Sequence, residues 1–284
     1  MKISLHALIH RFYKKKVFPK ISHIQGTYRL GVKLSKVAQI GMKKVEESET
    51  EGIFEAGEWD NLIILDACRH DLYEEVEGET DFRYTLGSSS SDYMARNFSE
   101  GTYDDVVYIS ANPHIHESQF KNLTGRRPKD VFHTIFHTYQ TDWDDNKGTV
   151  MPEDIIEDAL TAEKLFPDKK KIIHFMQPHH PFLSHEYDVK TEGFPSDVTA
   201  GDAPENVWTH AERGKISSEE IWKGYRKNLE VVLESVEELQ KGLGGKTVVT
   251  ADHGNFVGEN GLYAHPEGSK AKVLKKVPWD VIKE

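Results

Sequence analysis

The sequence is poor in the features that would place it outside the cell or across a membrane. It has 284 residues but a single cysteine, Cys68, which excludes an intramolecular disulfide. No apolar run approaches the roughly 20 residues that span a bilayer, and lysines at 14–16 interrupt any secretory signal. One cysteine fits a reducing compartment, so we expect a cytoplasmic protein that can sit peripherally on the inner face of the membrane.

Acidic residues are missing from the first part of the chain. Residues 1–44 contain 11 lysines and arginines and no aspartate or glutamate, although the net charge of the whole chain is −11. Apolar residues recur among the lysines at roughly helical spacing, which predicts a basic amphipathic helical arm over residues 1–45. Such a helix can bind an anionic membrane surface through residues 1–24, or pack on the body with its lysines solvated. Because the rest of the chain is acidic, we expect no nucleic-acid binding.

An acidic, glycine-punctuated linker over residues 46–58 precedes a body, residues 59–284, in which strands alternate with helices. Short apolar runs predict four buried strands, at 61–65, 105–110, 171–176 and 246–250. Helical periodicity predicts helices over 152–166 and 217–243. This alternation predicts an α/β fold in which a mostly parallel sheet is sandwiched by helices.

The strand ends carry the candidate site, because ligands of such sheets bind beyond the carboxyl ends of the strands. Asp252 and His253 can present an oxygen and a nitrogen to one ion, and Gly254 allows a close approach. A buried Asp66 at the end of another strand needs a partner, either a cation or Arg69. The remaining polar side chains near strand ends are Asn112, His114, His179 and His180, and His265 follows a dozen residues after His253.

Four segments, in order, resemble the alkaline phosphatase and sulfatase superfamily: Asn61–Asp66, Gly87–Tyr93, His174–Phe182 and Thr250–Gly254. The first resembles the strand that ends in a metal-binding aspartate, and the last resembles the motif whose aspartate and histidine bind metal. The second occupies the place of the nucleophile, and the third resembles the segment that brings a histidine to the anionic group. The Asp-Ala-Cys-Arg opening and the serine-rich turn are most similar to archaeal sulfatase-like proteins.

The resemblance implies an alkaline phosphatase-like fold with one divalent ion (Mn, Zn, Mg or Ca) rather than two. The metal ligands that it implies are Asp66, Asp252 and His253, and His265 is a further candidate, either as a ligand or as a contact of the transferred group. The predicted substrate-binding residues are His179 and His180, in the segment that carries the resemblance, together with Arg69 and Asn112 near strand ends; Arg69 can equally pair with Asp66, and Asn112 can cap the next element. In the sulfatase pattern the nucleophile stands two residues before a proline; this alignment favours Ser89, with Ser90 and then Ser88 as alternates.

One sulfatase feature is missing: no Cys/Ser-x-Pro/Ala-x-Arg segment is available for conversion to formylglycine. The resemblance therefore implies transfer or hydrolysis by an unmodified serine, on phosphate or sulfate esters of a glycan or lipid headgroup, with phosphate chemically simpler. Two alternatives stay open. One is a two-metal phosphomonoesterase or phosphoglycerate mutase, and the other is a catalytically silent binding module with the same fold.

Overall fold

The computed structural model describes residues 39, 41–187 and 205–284. Most of the predicted basic arm, including residues 1–24, lies outside these residues. In the part of the chain that is described, no helix is both long and apolar enough to cross a bilayer.

Strands and helices alternate along most of the described chain. The strands are β1 (Asn61–Asp66), β2 (Phe82–Tyr84), β3 (Tyr103–Ser110), β4 (Phe132–Phe136), β5 (Trp143–Asp144), β6 (Thr149–Val150), β7 (Lys170–Pro178), β8 (Thr247–Thr250), β9 (Phe256–Val257), β10 (Tyr263–Ala264) and β11 (Lys276–Lys283). The α-helices are α1 (His70–Glu77), α2 (Ser90–Phe98), α3 (Glu117–Thr124), α4 (Thr138–Thr141), α5 (Pro152–Leu165), α6 (Val207–Glu212), α7 (Ser218–Gly242) and α8 (Lys272–Lys275). Short 3₁₀ turns occur at Glu47–Glu49, Pro113–Ile115, Pro128–Asp130 and Glu259–Gly261.

Seven strands form the central sheet, in the order β2-β11-β8-β1-β7-β3-β4. The five strands from β8 to β4 run parallel, whereas β11 is antiparallel to both of its neighbours. All six residues of β1 are buried, as expected of a parallel strand that is covered on both faces. The prediction of an α/β fold with a mostly parallel sheet between helices is confirmed.

Alternating side chains of β1 supply the two faces of the core. Ile63 and Leu65 belong to a cluster with residues of α5 and α7, and Leu62 and Ile64 belong to a second cluster on the other face. The second cluster includes Tyr93 and Phe98 of α2, and Phe120 of α3. Helix α2, which begins in the serine-rich segment, is thus fixed against one face of the sheet by its aromatic residues.

The segment 46–58, predicted as a linker, packs on the body instead of standing clear of it. Ile53 is completely buried, and its N–H donates to the side-chain oxygen of Asn97 at 3.2 Å. The indole of Trp59 donates back to the carbonyl of Ile53 at 3.0 Å. Phe54 also stacks on Tyr103, with ring centroids 3.9 Å apart. Acidic composition conceals this packing, because only a few apolar side chains hold the segment.

Candidate metal centre

Two buried carboxylates meet at the carboxyl ends of neighbouring parallel strands. Asp66 is the last residue of β1, and Asp252 lies two residues beyond β8, which pairs with β1. His174, in the middle of β7 on the other side of β1, joins them. Ligand atoms of Asp66, His174 and Asp252 all lie within 4.8 Å of one another, so this group could hold a metal ion.

His253 faces the same two carboxylates. Its Nε2 lies 3.4 Å from Asp252 Oδ2 and 3.8 Å from Asp66 Oδ1. Its Nδ1 lies 2.9 Å from the carbonyl oxygen of Gly254, to which an Nδ1–H donates. That hydrogen bond leaves the Nε2 lone pair directed at the carboxylates, which is the tautomer a metal ligand requires.

The electrostatics of the centre favour a cation. Burial, and next the carboxylate of Asp252, raise the pKa of Asp66 well above its ordinary value. Burial also acts to raise the pKa of Asp252, but His253, His174 and hydrogen bonds outweigh it and the net shift is downward. Burial lowers the pKa of His174 to about 4, so its imidazole is neutral near pH 7. Asp66 Oδ1 and His174 Nε2 are buried with no hydrogen-bond partner among the described residues, and a divalent cation would satisfy both.

Ser90 is the serine that reaches this centre. Its hydroxyl donates to Asp252 Oδ2 at 2.8 Å and lies 3.2 Å from His253 Nε2 and 3.4 Å from Asp66 Oδ2. Ser90 is the first residue of α2, and the turn before it depends on Gly87. A Cβ at Gly87 would lie only 2.5 Å from the backbone nitrogen of Tyr93, so a larger residue would displace the turn.

Ser89 and Ser88 have other hydrogen bonds. Ser89, which the alignment favours, is the N-cap of α2, and its oxygen accepts from the N–H of Asp92 at 3.2 Å. The hydroxyl of Ser88 donates to the carbonyl of Pro266 at 3.1 Å and accepts from the N–H of Ser269 at 3.0 Å. The geometry therefore favours Ser90, the first alternate, over Ser89. The sulfatase pattern places the nucleophile by its distance from a proline, and this sequence has no proline there. The alignment therefore does not distinguish Ser89 from its neighbour Ser90.

The polar side-chain atoms of Asn112 and Arg69 form hydrogen bonds with other protein groups. Asn112 donates to Asp66 Oδ2 at 2.7 Å, and its oxygen accepts from the N–H of His114 at 2.9 Å. Asn112 therefore orients a carboxylate of the centre, a different role from the substrate binding that the sequence predicts. The guanidinium of Arg69 binds Asp71 through two hydrogen bonds and Glu259 through a third. With those partners it has little capacity left for a substrate anion.

The predicted histidines form a second cluster beside the carboxylates. His179 Nε2 lies 3.0 Å from His265 Nε2, and the ring of His265 lies 4.4 Å from that of His253. Burial lowers the pKa of His179 to about 4 and that of His265 well below its ordinary value, so both are neutral near pH 7. His265, predicted as a metal ligand, points its Nε2 at His179 and is not one of the groups that meet at the carboxylates. His180 is buried, and its ring lies 5.6 Å from that of Trp208.

Asn228 of α7 holds the segment that carries these histidines. Its amide donates to the carbonyl oxygens of Pro178, His179 and Pro181 at 3.1, 2.9 and 3.3 Å. Its oxygen accepts from the N–H of Leu183 at 3.0 Å. Four backbone groups of this loop thus depend on one completely buried side chain.

We expect Asn228→Ala to lower the free energy of unfolding by about 3 kcal/mol, because it leaves several buried carbonyls without a partner. Urea denaturation measures this change. Lys227→Ala, an exposed neighbour on the same helix, is the control and should stay within about 0.5 kcal/mol of the unaltered protein. Equal losses in the two variants would show that Asn228 does not hold the loop.

Comparisons with known proteins give similarity in fold only. A scan against protein-family models finds no match, and a search of curated proteins finds no similar sequence. Among solved structures, the soluble domain of lipooligosaccharide phosphoethanolamine transferase A from Neisseria meningitidis is 15% identical with a TM-score of 0.48, over 77% of this chain and 75% of that one. The C-terminal periplasmic domain of phosphoethanolamine transferase EptC from Campylobacter jejuni is 14% identical with a TM-score of 0.46, over 77% and 76%. The lipoteichoic acid synthase LtaP from Listeria monocytogenes is 10% identical with a TM-score of 0.42, over 86% and 70%.

These scores are too low to transfer an activity to this chain. The neighbours give no support to the narrower resemblance to archaeal sulfatase-like proteins. They contradict the expected cytoplasmic location, because the EptC structure is a periplasmic domain. The single cysteine misled that prediction, since a protein without disulfides is compatible with either side of a membrane.

Proposed function

We propose that the protein is a metal-dependent enzyme that transfers or hydrolyses the anionic group of a phosphate or sulfate ester, with Ser90 as its nucleophile. The observation that carries this proposal is the convergence of one serine hydroxyl with two buried carboxylates and an imidazole. Serine hydroxyls are weak nucleophiles, and this environment is of the kind that activates them.

The residues that would hold the metal are Asp66, Asp252 and His174, with His253 facing the same carboxylates. Asn112 keeps one oxygen of Asp66 in place through its 2.7 Å hydrogen bond. A divalent cation, when bound, lowers the pKa of the serine hydroxyl and neutralises negative charge on the ester. We propose one ion, because the described carboxylates form a single group. Mn, Zn, Mg and Ca all bind carboxylate oxygen, and imidazole nitrogen favours the first two.

The protein groups have distinct tasks in a two-step reaction. In the first step Ser90 Oγ forms a bond to phosphorus, the bond to the departing alcohol oxygen breaks, and the hydroxyl proton passes towards Asp252 Oδ2, 2.8 Å away. The N–H of neutral His179 donates to the carbonyl of His180 and that of His265 donates to His179 Nε2, so the departing alcohol oxygen takes its proton from solvent water. In the second step water or an acceptor alcohol displaces Ser90 and restores its hydroxyl.

We favour phosphate esters over sulfate esters as substrates. An unmodified serine can attack phosphorus, and the segment that would become formylglycine in a sulfatase is missing. We propose an anionic ester of a glycan or lipid headgroup as the substrate. The sequence of residues 1–24, basic and amphipathic, supports a substrate at an anionic membrane surface.

Metal reconstitution tests the proposal. Protein stripped with a chelator should show no turnover of nitrophenyl phosphodiester, phosphomonoester or sulfate, and one of Mn, Zn, Mg or Ca should restore turnover of a phosphate ester. Metal analysis should find about one ion per chain. Two ions with monoester turnover would favour the two-metal phosphomonoesterase. Failure to bind any metal would refute the proposal and favour a silent binding module.

A further inference from the structure

Lys275 is a buried cation that the proposed chemistry does not use. The residue is 3% exposed, and its ammonium donates to the carbonyl oxygens of Thr85 at 3.2 Å and Leu86 at 2.5 Å. Both carbonyls lie between β2 and Gly87, immediately before the serine turn. A cation at this position therefore holds the backbone from which the turn departs.

Thr85 connects the same contact to the metal centre. Its N–H donates to the carbonyl of Lys275 at 2.9 Å, and its hydroxyl donates to the carbonyl of Asp252 at 3.0 Å. Thr85 is completely buried, so water does not compete for these hydrogen bonds. The end of β2 is thus tied to Lys275 on one side and to the backbone of a carboxylate residue on the other.

The charge of Lys275 is maintained at a cost. Burial lowers the pKa of its ammonium to about 8; Asp92 opposes this shift, and Arg96 and Lys270 add to it. A methionine would fill a similar volume without burying a charge. What methionine lacks is the charge-assisted hydrogen bond, which is about twice as strong as a neutral one.

We propose that Lys275 is a positioning residue that fixes the start of the serine turn relative to the carboxylates of the metal centre. Leu86, which it holds, is four residues before Ser90. The same hydrogen-bond network reaches the backbone carbonyl of Asp252 through the hydroxyl of Thr85. This inference rests on the proposed role of Ser90 and adds the residue that aligns it.

Two variants and one matched control test this role. Lys275→Met removes both donors, and Thr85→Val removes the hydroxyl that reaches Asp252 while keeping the shape of the side chain. Lys171→Met is the control, because Lys171 is equally buried but pairs with Glu163 near the opposite end of β7. Turnover of a nitrophenyl phosphate ester, metal affinity and amide hydrogen exchange of residues 86–91 are measured for each.

We expect kcat to fall by about tenfold to a hundredfold in Lys275→Met and Thr85→Val, since a small misplacement of a nucleophile has effects of this size. KM should stay within about twofold, because neither residue contacts substrate. Exchange of residues 86–91 should accelerate in Lys275→Met and not in Lys171→Met.

An unchanged kcat together with unchanged exchange would overturn the inference. A fall in kcat together with a higher KM and weaker metal binding would also overturn it, since these changes together indicate general destabilisation. An equal fall in kcat in Lys171→Met would overturn it for the same reason. If the unaltered protein turns over no ester, the proposed function fails, and the exchange of residues 86–91 still decides whether Lys275 fixes the turn. If Lys275→Met does not fold, Thr85→Val decides.

Discussion

Replacing Ser90 with alanine should abolish turnover while leaving the fold intact. We expect kcat for a nitrophenyl phosphate ester to fall by about 10⁴-fold or more, as is typical when a nucleophile is removed. The thermal midpoint should change little, because alanine fits a helix start and the lost hydrogen bonds serve the centre rather than the core. Initial rates at saturating metal, with a melting curve for each variant, measure both effects.

Ser89→Ala is the matched control, one residue away in the same turn. Loss of its N-cap hydrogen bond to Asp92 should cost about 1 kcal/mol of stability. Its kcat should stay within about tenfold of the unaltered enzyme, because its oxygen faces the helix backbone. If Ser89→Ala were inactive and Ser90→Ala active, the nucleophile would be the serine that the sequence alignment favours.

Asp252→Asn should lose activity and, in the metal-free protein, change the pH dependence of stability. The amide can keep the two hydrogen bonds that Oδ1 accepts from the N–H groups of Ala67 and His253, both at 2.9 Å. It removes a negative charge beside Asp66, whose pKa is raised first by burial and then by Asp252. We expect metal affinity and kcat to fall at least a hundredfold.

The sign of the pH dependence follows from the raised pKa of Asp66. A carboxyl group of this kind favours folding below its ordinary pKa of 3.8 and loses that contribution as pH rises through the raised value. The stability of Asp252→Asn relative to that of the unaltered protein should therefore rise from pH 4 towards neutral pH. Urea unfolding of chelator-treated protein across this range measures it. A stability difference between the two proteins that stays constant across this range would show that Asp252 does not raise the pKa of Asp66.

The sequence predicts the central strands well because burial on both faces leaves a continuous apolar run. β1 and β7 are of this kind, and the structure extends each by only a few residues. β11 carries lysines and Pro278, and its place between β2 and β8 depends on long-range pairing. A local pattern does not contain that information, so the antiparallel side of the sheet was not predicted.

The candidate site likewise contains residues that the sequence predicts and residues that it does not. Asp66, Asp252 and His253 follow from the rule about strand ends, and the structure brings them together. His174 is different, because a histidine inside an apolar strand gives no sign of what lies across the sheet. Its register between Ile64 and Ser110 places it beside both carboxylates. Choosing Ser90 over Ser89 required the orientation of the first turn of α2, which sequence spacing does not give.

A metal-bound crystal structure with vanadate in the site tests the central claim most directly. Vanadate adopts the geometry of a phosphoryl group under attack, so the serine in line with it is the nucleophile. We predict one ion bound by Asp66, Asp252 and His174, with His253 beside it and Ser90 Oγ in line with the vanadium. Vanadate in line with Ser89, or an ion bound away from the two carboxylates, would contradict the account.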